Sequence, residues 1–109
     1  MTARLPTHLV VGALLRRVND AGGIAVILAR GDPDAGAILL VLEQEGRLLE
    51  RRIDFDGNDT LVPCGPVEGS SDSPDDYWKK RRSRDPDLWV VALDIADSER
   101  FAAETLLAN

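Results

Sequence analysis

The chain has few of the residues that commonly carry chemistry. One cysteine, Cys64, stands among 109 residues, which excludes an intrachain disulfide and a metal site built from several cysteines. His8 and Cys64 are each the only residue of their kind, and neither lies in a context that supports a nucleophile–base pair. No dinucleotide fingerprint, phosphate-binding loop, zinc-protease motif or nucleophile elbow occurs. The sequence therefore indicates no catalytic residue, no metal ligand and no cofactor.

Long apolar runs are also missing. No stretch reaches the roughly 18 apolar residues that span a bilayer, so we expect no membrane association. The short apolar run at residues 9–15 ends at Arg16 and Arg17 and lacks the cleavage pattern of a signal peptide. We therefore expect a cytoplasmic protein.

Basic residues are fewer than acidic ones and unevenly placed. Thirteen Lys and Arg against 19 Asp and Glu give a net charge of −6, which disfavours nucleic acid as a partner. Five of the bases fall in the acid-free run Lys79–Arg84. This run predicts either a polyanion site or a solvated helix supported by Asp75 and Asp76, and the second is favoured. The candidate interaction residues are Tyr77, Trp78, Lys79, Lys80, Arg81, Arg82 and Arg84.

Length and hydrophobic spacing predict a single α+β domain over residues 1–109. A mostly antiparallel sheet of four to five strands is expected with two helices, in the order helix-strand-strand-strand-(strand)-helix-strand. Residues 63–72 are predicted to be a loop, and residues 98–109 a C-terminal tail or a short helix. Helices are predicted at 7–21 and 74–85, and strands at 24–29, 38–42, 47–55, 60–62 and 88–95.

The strand patterns carry three further expectations. The continuous apolar runs at 24–29 and 38–42 predict central strands buried on both faces and joined by a hairpin. The alternating run Arg47–Phe55 predicts a half-exposed edge strand to which a partner adds a strand. The strand at 88–95 is expected to insert beside a central strand. The predicted core consists of Val10, Leu14, Val18, Ile24, Val26, Leu28, Ile38, Leu40, Leu42, Val90 and Leu93.

Two Asp-Pro-Asp segments precede the most apolar strands of the chain. Local turn chemistry explains each: Asp32-Pro33-Asp34 as a hairpin, and Asp85-Pro86-Asp87 as the end of a helix. If the two segments lie together, their four carboxylates offer an alternative, an enzyme with carboxylate chemistry.

These segments also carry a resemblance to a known family. Together with Leu14-Leu15-Arg16-Arg17 and Ala21-Gly22-Gly23, the sequences around them resemble the small alphaproteobacterial family catalogued as domain of unknown function 1491. The resemblance covers residues 4–97 and ends at Asp97. It implies a bacterial cytoplasmic protein of unassigned activity, with no catalytic residues to transfer.

A small non-enzymatic interaction or adaptor protein is the function that the sequence favours. Its expected partner is another protein or a second copy of the chain. An anion- or nucleic-acid-binding module at residues 79–84 and the carboxylate enzyme are the alternatives.

Overall fold

A five-stranded mixed sheet organises the protein in this computed structural model, which describes residues 5–107. The strand order across the sheet is β1-β5-β2-β3-β4, and among the described residues no helix is long and apolar enough to cross a membrane. The elements are α1 (Thr7–Asp20), β1 (Ile24–Ala29), β2 (Ile38–Leu42), β3 (Arg47–Ile53), β4 (Asp59–Cys64), α2 (Pro74–Arg84), β5 (Trp89–Asp94) and α3 (Ser98–Leu106).

The last strand lies between the first two. β5 pairs antiparallel with β1 and parallel with β2, while β2, β3 and β4 pair antiparallel in sequence order. The α+β class and the insertion of β5 beside a central strand are therefore confirmed. The predicted hairpin between residues 24–29 and 38–42 is wrong, because β5 separates these two strands.

The first Asp-Pro-Asp segment crosses the beginning of β5. The backbone N–H of Asp32 donates to the carbonyl oxygen of Asp87 at 3.0 Å, and Trp89 Nε1 donates to the carbonyl oxygen of Asp32 at 2.7 Å. A Cβ atom added at Gly31 would lie 2.0 Å from that Asp87 oxygen, and one added at Gly36 would lie 2.2 Å from it. The loop thus needs both glycines to pass over β5 and reach β2.

Two helices cover one face of the sheet. Leu14 and Val18 of α1 are buried against Leu40 and other residues of the core cluster. Helix α3 packs beside α1, and Arg17 Nη2 contacts Glu104 Oε1 at 2.8 Å. Residues 5–107 thus form three helices rather than two, and α3 is the short helix that the sequence left as an alternative to a tail.

Helix α2 covers part of the opposite face. It begins with the reciprocal capping box of Ser73 and Asp76, in which each side chain accepts a hydrogen bond from the backbone of the other residue. Tyr77 and Trp78 pack against the core cluster beneath it, which includes Leu39 and Val90. All five residues of β2 are buried, which confirms the strand predicted to be covered on both faces.

The predicted half-exposed edge strand is an interior strand. β3 pairs with β2 on one side and with β4 on the other. Strand β4 extends to Pro63 and Cys64, which pair with Leu49 and Leu48. The edges of the sheet are therefore β1 and β4, and the edge predicted at residues 47–55 is not available for strand addition.

Candidate interaction surface

Three large apolar side chains are exposed in a row on edge strand β1. Ile24 is 60% exposed, Val26 46% and Leu28 39%, and all three lie on the sheet face that carries α2. These residues were predicted to be core, and that prediction is wrong. Helix α2 packs over β2, β3 and β5, and Ala29 at the end of β1 joins the cluster beneath it. Among the described residues no helix covers Ile24, Val26 and Leu28. We call Ile24, Val26 and Leu28 the β1 surface.

The β1 surface forms one wall of a shallow groove of about 230 Å³. Ala92 forms its floor, and Glu43 and Asp94 stand at the end nearest Ile24. Arg30 follows β1 at the other end, exposed, with its guanidinium 5.9 Å from the ring centre of Trp89. Because Trp89 belongs to the core cluster under α1, this guanidinium lies on the opposite face of the sheet from the groove. The groove itself is therefore apolar, with acidic side chains at one end.

The backbone edge of β1 is only lightly protected. The strand sequence, Ile24–Ala29, contains no charge and no proline, the residues that usually prevent edge-to-edge pairing. The Ala25 N–H donates to Asn19 Oδ1 at 3.3 Å, and a register shift follows Ile27. The first feature occupies the N–H of Ala25, and the second limits the regular strand that an added strand could pair with to Ile24–Ile27.

The basic run lies on α2, where the half-buried Arg81 forms an ion pair with Glu50. Arg81 donates from Nη1 to Glu50 Oε1 at 2.9 Å and from Nη2 to Glu50 Oε2 at 3.0 Å. Tyr77 Oη accepts a further bond from Arg81 at 3.2 Å. Burial alone would raise the pKa of Glu50, but the hydrogen bonds and charges of Arg81 and, at 3.3 Å, of Arg52 together outweigh it and hold this pKa below its ordinary value. The hydrogen bonds from Arg81 to Glu50 also raise the pKa of Arg81.

The other candidate residues on α2 are also used in contacts within the chain. Arg82 donates to the carbonyl oxygen of Arg30 at 2.9 Å, and Lys80 pairs with Asp72 at 2.8 Å rather than with Asp76. Lys79 lies 5.7 Å from the ring centre of Trp78, whose Nε1 donates to Asp75 at 3.1 Å. Arg84 is exposed at the end of the helix. These contacts favour the solvated structural helix over a polyanion site.

The two Asp-Pro-Asp segments are adjacent, but their side chains serve their own turns. Asp32 Oδ1 accepts from the backbone N–H of Asp34 at 3.0 Å, and Asp85 Oδ1 accepts from that of Asp87 at 3.1 Å. Within residues 5–107 no group of three or more His, Cys, Asp or Glu side chains is arranged to hold a metal ion. The two segments therefore meet through their backbones. Their carboxylates do not converge on a common site, as a carboxylate enzyme would require.

A cavity of about 300 Å³ lies between this loop and the β3–β4 hairpin. Asp34, Arg51, Arg52 and Asp59 contribute its charged groups, and Arg51 and Asp59 are engaged in further contacts. The balanced charge selects neither an anion nor a cation.

Cys64 lies half-buried on β4, on the face that carries α2. Burial, followed by the negative charge of Glu50, raises the pKa of its thiol. A raised pKa keeps the sulfur protonated and unreactive at neutral pH. The cysteine therefore behaves as a small apolar side chain.

The β1 surface is the feature that sequence reasoning missed. Its residues form an unbroken apolar run, and such a run predicts burial on both faces whether the strand is central or at an edge. The one relevant feature of the sequence is that Ile24–Ala29 contains no charge and no proline. That feature becomes informative only once the structure places this strand at an edge of the sheet.

Comparison with known proteins gives a consistent family relationship. The model of the family described as "Protein of unknown function (DUF1491)" matches residues 5–103, so the similarity continues beyond Asp97 into α3. A search of curated proteins finds no match.

Solved structures agree with the family match. The chain is similar to a crystal structure of a DUF1491 family protein from Caulobacter crescentus, with 30% identity, a TM-score of 0.73, and 90% of this chain and 94% of that chain covered. An NMR structure of a DUF1491 family protein from the same organism gives 32% identity, a TM-score of 0.73, and coverage of 92% and 94%. A solution structure from A. tumefaciens gives 29% identity, a TM-score of 0.65, and coverage of 96% and 93%. The chain belongs to the DUF1491 family, whose function is unknown.

Proposed function

We propose that this protein is a non-enzymatic interaction protein that binds a partner polypeptide along β1. The observation that carries the proposal is the row of three exposed apolar side chains on an edge strand without charge or proline. An exposed apolar row beside an unpaired backbone edge is the arrangement to which an extended partner segment adds a strand. Main-chain hydrogen bonds supply affinity in that mode, and alternate side chains supply specificity.

The chemistry elsewhere in the protein supports the proposal indirectly. The buried carboxylate of Glu50 is neutralised by Arg81, and Cys64 is held protonated. Groups with these properties stabilise a fold and are poorly suited to act as a base or a nucleophile. The β1 surface, in contrast, exposes apolar side chains to water, and no contact within the described residues accounts for that exposure.

A photoreactive amino acid placed at residue 26 tests the proposal in alphaproteobacterial cells. We expect covalent adducts from residue 26 that are absent when the same amino acid replaces Leu9, a 52% exposed apolar residue on α1. The protein in each adduct is identified by mass spectrometry. Its complex with this chain is then reconstituted from the two purified proteins.

In that purified system Val26→Lys has to weaken binding at least tenfold, since it places a charge in the middle of the apolar row. Adducts that are the same from residues 9 and 26, or no adducts from residue 26, would overturn the proposed function.

A further inference from the structure

We infer that α2 is a lid, which opens from the sheet as a unit while the sheet, α1 and α3 stay folded. Opening uncovers the apolar cluster beneath α2 and does not depend on a partner at β1. The burial of α2, the contacts that hold it and the segments at its two ends carry the inference.

Helix α2 is the least buried of the three helices in residues 5–107. None of the residues Pro74–Arg84, all of which the structure describes, is buried, whereas α1 has five buried residues and α3 has three. Its apolar anchors are Tyr77 and Trp78, which are only half-buried against the cluster beneath the helix. An element that buries few apolar side chains opens at a lower free energy than the whole domain.

Two arginines supply the polar contacts between α2 and the strands. Arg81 donates to Glu50 of β3, and Arg82 donates to the carbonyl oxygen of Arg30 at 2.9 Å. The pairs of Trp78 and Lys80 described above lie within α2 or reach Asp72 in the preceding loop, so they move with the helix. Opening returns both charges of the Arg81 pair to water together, which avoids the large cost of leaving one of them buried alone.

The segment before α2 is suited to act as a hinge. The loop at residues 65–72 contains Gly65 and Gly69, both at positive φ. The hydrogen bonds that order this loop are local, such as the one from the Ser70 N–H to the carbonyl oxygen of Val67 at 3.0 Å. A rotation of α2 can therefore be absorbed here without breaking a strand.

The segment after α2 confines the motion on the other side. Asp85 leaves helical geometry at φ −131° and ψ 89°, as expected for a residue before proline. Asp87 is fixed, because its carbonyl oxygen accepts the backbone N–H of Asp32 at 3.0 Å. The change of direction between the lid and the rigid sheet thus falls at Asp85 and Pro86.

Opening of the lid changes the apolar surface of the sheet. Leu39 of β2, Leu48 of β3 and Val90 of β5 are buried in the cluster beneath α2. Ala92 belongs to the same cluster and also lines the groove beside β1. Departure of α2 therefore joins that groove to a wider apolar face that extends across three further strands.

Two adjacent valines of β5 test the inference in the full chain. Val90 lies in the cluster beneath α2 and Val91 in the cluster under α1, and both are fully buried. Each is replaced by cysteine in a Cys64→Ser background, and the rate of labelling by an aromatic disulfide reagent is measured without denaturant. Val90→Cys should react roughly tenfold or more faster than the matched control Val91→Cys, because opening of α2 uncovers only the first.

A second substitution and urea separate opening of the lid from unfolding of the chain. Val18→Ala loosens α1, which stays folded in the open state, so it should accelerate labelling at residue 91 about tenfold and leave residue 90 unchanged. Arg81→Ala removes a contact that is absent from both the open and the unfolded states, so it should accelerate both. Labelling at residue 90 should also respond less steeply to urea, because opening exposes less surface than unfolding does.

Hydrogen exchange of the unsubstituted chain serves if a cysteine variant does not fold. An 11-residue helix without tertiary contacts is marginal in water, so the amides of α2 should exchange faster than those in the middle of α1. Equal labelling rates and urea slopes at residues 90 and 91, or equal protection of the two helices, would overturn the lid. Fast exchange in α2 with slow labelling at residue 90 would mean that the helix frays in place, and would overturn it as well.

Discussion

The two edges of the sheet, on the face that carries α2, are protected in opposite ways. At the β4 edge the strand contains Asp59 and Pro63, and the neighbouring β3 carries Glu50, which Arg81 of α2 neutralises. At the β1 edge the strand is wholly apolar, and the cluster beneath α2 includes only its last residue, Ala29. The β4 edge is therefore shielded against an incoming strand, whereas the β1 edge leaves apolar side chains and backbone donors facing water.

This difference teaches that exposure of the β1 surface is not a general looseness of a small protein. The chain has the means to shield an edge and uses them at β4, so the absence of the same devices at β1 is informative.

The largest effect is expected from Gly31→Ala, which alters the crossing that holds β1 outside β5. The added Cβ would lie 2.0 Å from the carbonyl oxygen of Asp87, and overpacking against rigid backbone costs about 3 kcal/mol or more. Urea unfolding followed by tryptophan fluorescence measures the free energy of unfolding. The matched control is Gly12→Ala in α1, where no atom lies within 4 Å of the added Cβ; it should stabilise the protein by about 0.5–1 kcal/mol. Equal stability of the two variants would show that the crossing is not tight.

Arg81→Ala should lower the free energy of unfolding by about 2 kcal/mol, because it removes the two shorter hydrogen bonds to the buried Glu50 carboxylate and leaves only Arg52, at 3.3 Å, as its cationic partner. The cost is below that of a fully enclosed pair, since the Arg81 side chain is 28% exposed. Arg84→Ala, on the same helix and exposed, is the control and should stay within about 0.5 kcal/mol of the wild type. Replacing both Glu50 and Arg81 by Leu should recover most of the loss, and a double variant as unstable as Arg81→Ala would contradict this account.

Two valines on the same face compare the covered and uncovered regions directly. Val90 of β5 is fully buried beside α2, whereas Val26 of β1 is 46% exposed. Val90→Ala should cost about 2 kcal/mol, since it removes two buried carbons and leaves a cavity, and Val26→Ala less than about 1 kcal/mol. Thermal and urea unfolding should be run at low micromolar concentration to limit association. Equal costs for the two substitutions would mean that β1 is covered in solution even then.

The smallest effect is the part of the pH dependence of stability that Glu50 of β3 contributes. Because the folded-state pKa of Glu50 is lowered, the unfolded chain binds a proton more readily, and stability from this group is present above its ordinary value of 4.5. That stability is lost as the pH falls through the lower folded-state pKa. Glu50→Gln removes the titrating group, so the variant should lose less stability than the wild type below pH 4.5. Asp76 and Glu104, whose pKa values are also lowered, remain in both proteins. Parallel acid-unfolding curves for the two proteins would refute the role given to Glu50.

Much of the fold was accessible from local patterns. The spacing of apolar residues predicted α1, the glycine-bounded apolar runs predicted β1 and β2, and Ser73 with the following proline predicted the beginning of α2. The candidate site was less accessible. Tyr77, Trp78 and the basic run were identified, but only the folded chain pairs Arg81 with Glu50, 31 residues earlier. Such a pairing has no local signature.

The α+β class, the family relationship and the end of α2 before Asp85-Pro86-Asp87 could be read from the sequence, because each depends on neighbouring residues. Long-range packing is what places β5 between β1 and β2, makes β3 an interior strand, and leaves Ile24, Val26 and Leu28 facing water. An apolar strand has the same local chemistry at the centre of a sheet and at its edge. What differs is which strand and which helix arrive beside it, and long-range packing alone makes that choice.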